Sequence, residues 1–516
     1  KARLLRLFNE LPNHTYVLYT AFRAEMSDLT RVLVVGATGY IGTRLVSELL
    51  QRGFEVNAGY RDPTKAKMKS WSSHSNLTPV KADVFDVESL TNAAKGCAAA
   101  FYLVHSMYGK GDFVALDREA ANNMVMAAEK TELGRIIYLG GLGDAESGLS
   151  KHLASRMEVS RILHRGSVPA TTLRAAMIVG AGSASFEILR YLVDRLPAMV
   201  TPRWVRTKSQ PIAVSNVIGY LIGCLENAET ANRIFDIGGP DILSYQDLMK
   251  IYSEEAGLTR RFIVPIPILT PRLSSYWLSL VTPLPTPLTK PLIEGLRNEA
   301  ICRNNDIQSF VPQELLTVRE AIHLALQKEN EVTSWAEKNI RRYGAILEQV
   351  QAGDPNWAGG SFYSLTWQLE TSVSNSRLWS AIQSVIGTKG WNYGSWLWPI
   401  RGYIDNLLRG KGMGEPKVHL PLLKSDSLVD CWKIVEIAPT RRLTLLSTLK
   451  MPALLSLTIS LKSKQIEGCE VVVEIYYRPY GLAGLVAWHT LLPVRKYAVG
   501  KLIDRILHLA KSVHEI

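Results

Sequence analysis

Three glycines in one short stretch, Gly36, Gly39 and Gly42 of GATGYIG, separate an apolar β-forming run (RVLVV) from an amphipathic one (TRLVSELLQ). Gly36 permits a tight turn, Gly39 lets the backbone approach a diphosphate, and Gly42 lets the helix pack closely on the strand. The amides and dipole at the helix start favour an anion. With Thr38, Tyr40 and Ile41 completing the turn, Gly36–Gly42 is expected to hold the diphosphate of a dinucleotide. Further along, GYRDP places Arg61 where a ribose 2′-substituent would sit. A cation there suits a 2′-phosphate, so NADP(H) is the expected cofactor; Asp62 on the 2′-hydroxyl would instead give NAD(H). Asp83 and Val84 are expected beside the adenine, and Val104 and His105 beside the nicotinamide ribose. For His105 a structural and a chemical role are both open.

These positions require a frame of alternating strands and helices. RVLVVGA, FEVNAGYR, LTPVKADV, AAAFYLVHS, RIIYLGG and ATTLRAAMIVG read as six strands, with amphipathic helices such as Asp117–Lys130 between them. That rhythm predicts a doubly wound parallel sheet of the Rossmann type. Residues 26–330 are expected to form this domain, 183–330 its substrate side, and 331–365 a linker. Nine of the 12 tryptophans lie beyond residue 330, marking a second core. A helix (SRLWSAIQSVIG), strand-like runs and a final amphipathic helix predict an α+β domain over 366–516 with a ligand cavity.

Composition narrows the classes. The 516 residues carry a net charge of +12 without a basic block, which argues against nucleic acid as a partner. Five dispersed cysteines argue for reduced thiols in a cytoplasm-like compartment. Asp405, Asp426 and Asp430 lack metal-ligand spacing, so no metal is expected; Trp391, Trp396 and Trp398 read as packing or cavity wall. Residues 1–25 read as a non-native or over-extended start before an initiating Met26, with an Arg-rich targeting presequence the alternative. Leu273–Thr289 and Pro479–Val494 are too short or too interrupted to span a bilayer, but each can lie against a membrane surface.

GATGYIG, YRDP, ADVFD, LVHSM and FDIGGPDILSY together resemble the atypical short-chain dehydrogenase/reductases of NmrA-like type. With GW…LWPIRGYID, DCWKIVE and RPYGLAG, the chain is similar from Arg31 onward to the bacterial YbjT-like group, which adds a C-terminal domain of unknown function. That domain resembles, at the level of fold, the START and polyketide-cyclase helix-grip.

The resemblance implies a catalytic Tyr-x-x-x-Lys pair and a Ser after the fifth strand. Here His152 and Arg156 stand at the paired positions, and Gly140-Gly141 where the Ser would be. His152 is expected as an acid, with a bound water as alternative, and Arg156 as a ribose contact. The resemblance also places Arg174 near the cofactor. Ser183, Ser185 and Glu187 are expected to line the substrate cleft, with capping of the following helix equally open for the serines. Two functions follow: an NADP(H)-dependent oxidoreductase of a hydrophobic, lipid- or quinone-like small molecule, or a non-catalytic NADP(H)-binding redox sensor or structural subunit. Oligomeric state is not legible.

Overall fold

A computed structural model describes residues 30–62, 69, 71–105, 112–143, 148–266, 281–327, 347–351, 353–360, 363–387, 427–429, 431–449, 451–463 and 469–512. The start at 1–25, Trp391, Trp396, Trp398, Asp405, Asp426, Asp430 and much of Leu273–Thr289 lie outside the described residues. The chain divides into two compact units, one running to Gly360 and the other from Ser361, apart from the short stretch Asp194–Leu196 assigned to the second.

In the first unit, β1 (Arg31–Val35), α1 (Tyr40–Gln51), β2 (Glu55–Tyr60), β3 (Leu77–Lys81), α2 (Val87–Ala94) and β4 (Ala99–Tyr102) come first. Next come α3 (Phe113–Lys130), β5 (Ile136–Gly141), α4 (Lys151–Leu163), β6 (Ala170–Ala175), α5 (Ala184–Arg195), α6 (Val214–Glu226) and β7 (Ile234–Ile237). The seven strands are ordered β7-β6-β5-β4-β1-β2-β3 and every pairing is parallel. The strands are apolar on both faces because both faces are covered. Val32 and Val34 of β1 pack with Leu45, Leu49, Val217 and Leu221 of α1 and α6. Leu33 and Val35, turned the other way, pack with Leu90, Ala121, Met124 and Val159 of α2, α3 and α4. The sixth expected strand is shorter than read: β6 stops at Ala175, and Ile178–Val179 pairs instead with Ile212–Ala213.

Strand order reverses at β1, whose neighbours are β2 and β4. A crevice opens at such a reversal, outside the carboxyl ends of the strands.

Residues 347–360, read from sequence as part of a linker, pack into the first unit instead. Their anchor is Arg44 of α1, whose side chain has no exposure. Its Nε donates to Leu347 O at 2.7 Å, and Nη2 donates to Gln349 O at 2.6 Å and Ala181 O at 2.9 Å. Asp354 receives both terminal nitrogens, at 3.2 and 2.9 Å. Glu348, also fully buried, accepts from Ser215 N and Oγ at 2.9 and 2.8 Å. A buried guanidinium persists only when its donors are matched, and that matching pins the segment.

The second unit is a six-stranded antiparallel sheet with helices, as the alternating C-terminal runs predict. Its elements are β8 (Tyr363–Thr371), α7 (Asn375–Gly387), β9 (Leu428–Val429), β10 (Trp432–Ala438), β11 (Arg442–Ser447), β12 (Ala453–Ser463), β13 (Cys469–Pro479), α8 (Gly481–Thr490) and α9 (Leu492–Ser512). The order is β8-β13-β12-β11-β10-β9. Val499, Leu502, Ile506 and Ala510 form one stripe of α9 and share a core with Leu378, Ile382 and Ile386 of α7 and with Ile434, Leu445, Ile459 and Val473 of the sheet.

Replacing Arg44 by Met leaves Asp354 buried without its cation, and chemical denaturation is expected to show a loss of about 3–5 kcal/mol. Burial raises the Glu348 carboxyl from 4.5 to about 7. Because the folded value is the higher one, the stability it contributes is present in full below about pH 4.5 and is lost as pH rises through about 7. Glu348→Gln should flatten that part of the stability-against-pH curve.

Candidate active site

The glycine turn has the geometry its spacing predicts. Gly36 takes φ +92°, and a Cβ there would stand 3.2 Å from the carbonyl carbon and oxygen of Leu103 at the end of β4. A Cβ on Gly42 would lie 2.1 Å from Gly36 O, so the helix can sit this close to the turn only without one. Gly39 is the N-cap of α1 and offers no side chain to its amides, and it is exposed. A bare, positively polarised helix start is what a diphosphate requires, so these residues fit a dinucleotide. Thr38 and Ile41 are half-buried in the turn. Tyr40 reaches away from it: its ring lies under the Arg44 guanidinium, 4.0 Å from the ring centre, and a Cβ on Gly180 would fall 2.5 Å from its hydroxyl.

Arg61 is exposed and directly follows β2. Asp83 N donates to Ser89 Oγ at 2.8 Å, and Asp83 Oδ1 accepts from Phe85 N at 3.2 Å. Val84 is buried, and its carbonyl accepts from Asn123 of α3 at 2.9 Å.

After β4, Val104 and His105 meet α4. His105 Nδ1 lies 3.1 Å from Asp117 Oδ2, and His105 Nε2 lies 3.0 Å from His152 Nδ1. Ser155 Oγ donates to the same Asp117 oxygen at 2.9 Å. An ionised Asp117 only accepts, so His105 must carry its proton on Nδ1 and accept at Nε2. His152 then donates from Nδ1, which leaves a lone pair on Nε2. Among the described residues that nitrogen has no protein hydrogen bond.

Both imidazoles resist protonation. Burial lowers His105 despite Asp117 beside it, and burial, His105 and Arg156 together lower His152 to about 3. The expected acid is therefore, at neutral pH, a proton acceptor. Low dielectric and neighbouring positive charge both disfavour the imidazolium.

Arg156 also has protein partners. Its guanidinium donates to Val104 O at 3.2 Å and to Leu139 O, and lies over the Tyr138 ring. It ties the ends of β4 and β5 together, and the half-exposed side chain keeps donors beyond these two bonds. Gly141 explains the absent serine. A Cβ there would come within 2.9 Å of Leu153 Cδ2, the end of a flexible side chain on α4, so a larger residue would make Leu153 shift.

The residues expected to line the substrate cleft are largely structural. Ser183 Oγ donates to Ile178 O at 2.7 Å. Glu187, fully buried, accepts from Gly182 N at 2.8 Å and Gly359 N at 2.9 Å, which removes it from a cleft. Ser185 is half-buried. Arg174 pairs with Asp236 on β7 at 2.6 Å.

Asp117 was missed from sequence. The signal was a carboxylate on the same face of α3 as Ala120, Ala121 and Met124, all buried. Among the described residues no group of three or more His, Cys, Asp or Glu is placed to hold a metal ion.

A family model described as NAD(P)H-binding matches residues 36–176, and one described as a protein of unknown function (DUF2867) matches 357–502. The chain is 23% identical over 284 residues to NADH dehydrogenase (ubiquinone) 1 alpha subcomplex subunit 9, mitochondrial, of Arabidopsis thaliana, covering 54% of this chain and 70% of that relative. It is 25% identical over 250 residues to isoflavone reductase homolog IRL of Zea mays, covering 46% and 79%. A shorter match, 32% identical, to cinnamoyl-CoA reductase 1 of Oryza sativa subsp. japonica covers 22% of this chain and only 34% of the relative. Among solved structures, Citrobacter sp. triphenylmethane reductase complexed with NADP(H) is 20% identical with a TM-score of 0.47, covering 57% of this chain and 100% of that one.

The first unit is thus an NAD(P)H-binding domain of the Rossmann type. The relatives named as reductases support an oxidoreductase-type function and the atypical short-chain dehydrogenase/reductase reading.

Nitrogen-15 spectra of the histidine rings provide a check that needs no cofactor. His152 is expected to stay neutral, with an unprotonated Nε2, until the pH nears its lowered value of about 3. Asp117→Leu should release both rings from their Nδ1–H tautomers. An ordinary midpoint near 6.5 for His152 in the native protein would contradict the assignment.

Proposed function

We propose that the protein is an NADP(H)-dependent oxidoreductase that interconverts a hydroxyl and a carbonyl on a hydrophobic small molecule, with His152 as the proton-exchanging group. The observation that carries this reading is the chain Asp117–His105–His152, which starts at a buried carboxylate and ends on an unbonded lone pair next to the carboxyl ends of β4 and β5. The dinucleotide, when bound, supplies the hydride acceptor or donor. A substrate hydroxyl gives its proton to His152 Nε2 as its C–H bond breaks. His152 passes the proton on Nδ1 to His105 Nε2, and the positive charge comes to rest on the ring 3.1 Å from Asp117. Carbonyl reduction runs the same transfers backwards. Asp117 reduces the cost of forming this imidazolium, while burial still leaves it a transient carrier of the proton.

Arg61, exposed at the end of β2, supports NADP(H) over NAD(H) through a bidentate contact with a 2′-phosphate. The hydrophobic substrate is supported by the short strands Ala198–Pro202 and Phe262–Ile266 on the substrate side, which leave Val200, Phe262 and Val264 half or more exposed.

A second reading keeps the dinucleotide without turnover, as a redox sensor or structural subunit. The observation that favours it is that Arg156 donates to two backbone carbonyls and that Gly141, without a hydroxyl, stands where the serine is expected.

Purified protein given NADPH and a panel of apolar ketones and quinones, or NADP⁺ and the matching alcohols, separates the two. Turnover that falls at least about a hundredfold in His152→Gln, with dinucleotide affinity unchanged, is expected under the first reading. Stoichiometric binding without turnover across the panel would establish the second. Arg61→Ala should weaken NADPH about tenfold or more and NADH little, as measured by calorimetry.

A further inference from the structure

Residues 475–503 contain four basic side chains, Arg478, Arg495, Lys496 and Lys501, and no Asp or Glu. Within this stretch α8 (GLAGLVAWHT) has no Lys, Arg, Asp or Glu at all, a composition that normally buries a helix on every side. Only one side is buried here. A Cβ on Gly484 would stand 2.2 Å from Pro452 O, and Tyr477 Oη donates to Gly484 O at 2.9 Å. Trp488 stacks on Tyr363 with ring centres 5.0 Å apart. These contacts seat α8 firmly on the sheet.

Its other side is bare. Leu482 and Val486, one turn apart, are each 54% exposed. Leu491, between the two helices, Val494 and Tyr497 of α9, and Tyr480 just before α8 are exposed as well. Lys496 and Lys501 are exposed alongside, and Lys501 Nζ lies 5.9 Å from the Tyr497 ring centre.

We propose that this face rests on an anionic lipid surface. Apolar side chains standing out from two successive helices enter the acyl boundary, the tyrosines sit at the headgroup level, and Lys496 and Lys501 meet anionic headgroups. Charge favours this occupant over a second copy of the chain, since Lys496 and Lys501 outnumber the one exposed carboxylate of α9, Asp504, and two such faces would meet with a net positive excess. The protein need not cross the bilayer, and no described helix is long and apolar enough to do so. Such a position gives access to apolar molecules dissolved in the membrane.

The test is co-sedimentation of the full chain with sucrose-loaded vesicles of phosphatidylcholine containing about 30% phosphatidylglycerol, against phosphatidylcholine alone. Binding to the anionic vesicles, weakened by salt, is expected. Neutralising both lysines, Lys496→Gln with Lys501→Gln, should lower the partition coefficient roughly thirtyfold. Leu482→Asp with Val486→Asp should abolish binding while leaving the circular dichroism spectrum and NADPH affinity as in the parent, because both side chains are exposed. Failure of the parent to sediment with anionic vesicles overturns the proposal, and so does undiminished binding by the Leu482/Val486 variant. A dimer in analytical ultracentrifugation that the same variant dissociates would overturn it by assigning the face to a second copy.

Discussion

One buried guanidinium fixes the geometry on which the dinucleotide turn depends. Arg44 lies one helical turn after Tyr40, where α1 begins, and its nitrogens reach carbonyls at Ala181, Leu347 and Gln349 and both oxygens of Asp354. A charge withdrawn from water tolerates few arrangements, because each unmatched donor costs free energy. The turn near Gly180, the 347–360 segment and the first turn of α1 are therefore held in one arrangement. The glycines make the turn possible, and Arg44 holds the helix that presents it.

A similar constraint operates across the crevice. Gly141 allows α4 to approach β5, and that approach brings His152 and Arg156 within reach of the β4 end. Arg156 anchors two strand ends through their carbonyls, while His152 joins His105 and Asp117. Compared with the Tyr–Lys–Ser pattern implied by the family resemblance, the same helix presents an imidazole and a guanidinium. A tyrosine stores a proton to give, whereas a neutral imidazole held in its Nδ1–H tautomer offers a lone pair. Reversibility still permits either direction of reaction.

The second unit solves a different problem. Its sheet buries one apolar face under α7 and α9, following the two-residue alternation of β11, β12 and β13. What sets it apart is α8, whose apolar surface exceeds what the sheet covers. Large apolar side chains left exposed beside basic ones mark a surface built for contact.

Much of this was legible in the sequence because it follows from local rules. Strand–helix alternation predicted the parallel sheet, glycine spacing predicted the turn after β1, and the C-terminal runs predicted a separate antiparallel unit. The place of Arg61 at the end of β2 was legible too, because it depends only on where that strand stops. The fate of the other polar residues did not follow from local pattern. Glu187 looked like a cleft residue and is a buried anchor, Arg156 also bonds two strand-end carbonyls that no motif announces, and residues 347–360 looked like a linker and are packed. Asp117 gave no motif, since its partner His105 lies on another element and His152 on a third. The sequence by itself determined where a dinucleotide can bind, since a turn and its helix are contiguous in the chain. Only the tertiary structure decided what protons can do there, because hydrogen-bond partners and desolvation are properties of neighbours far apart in sequence.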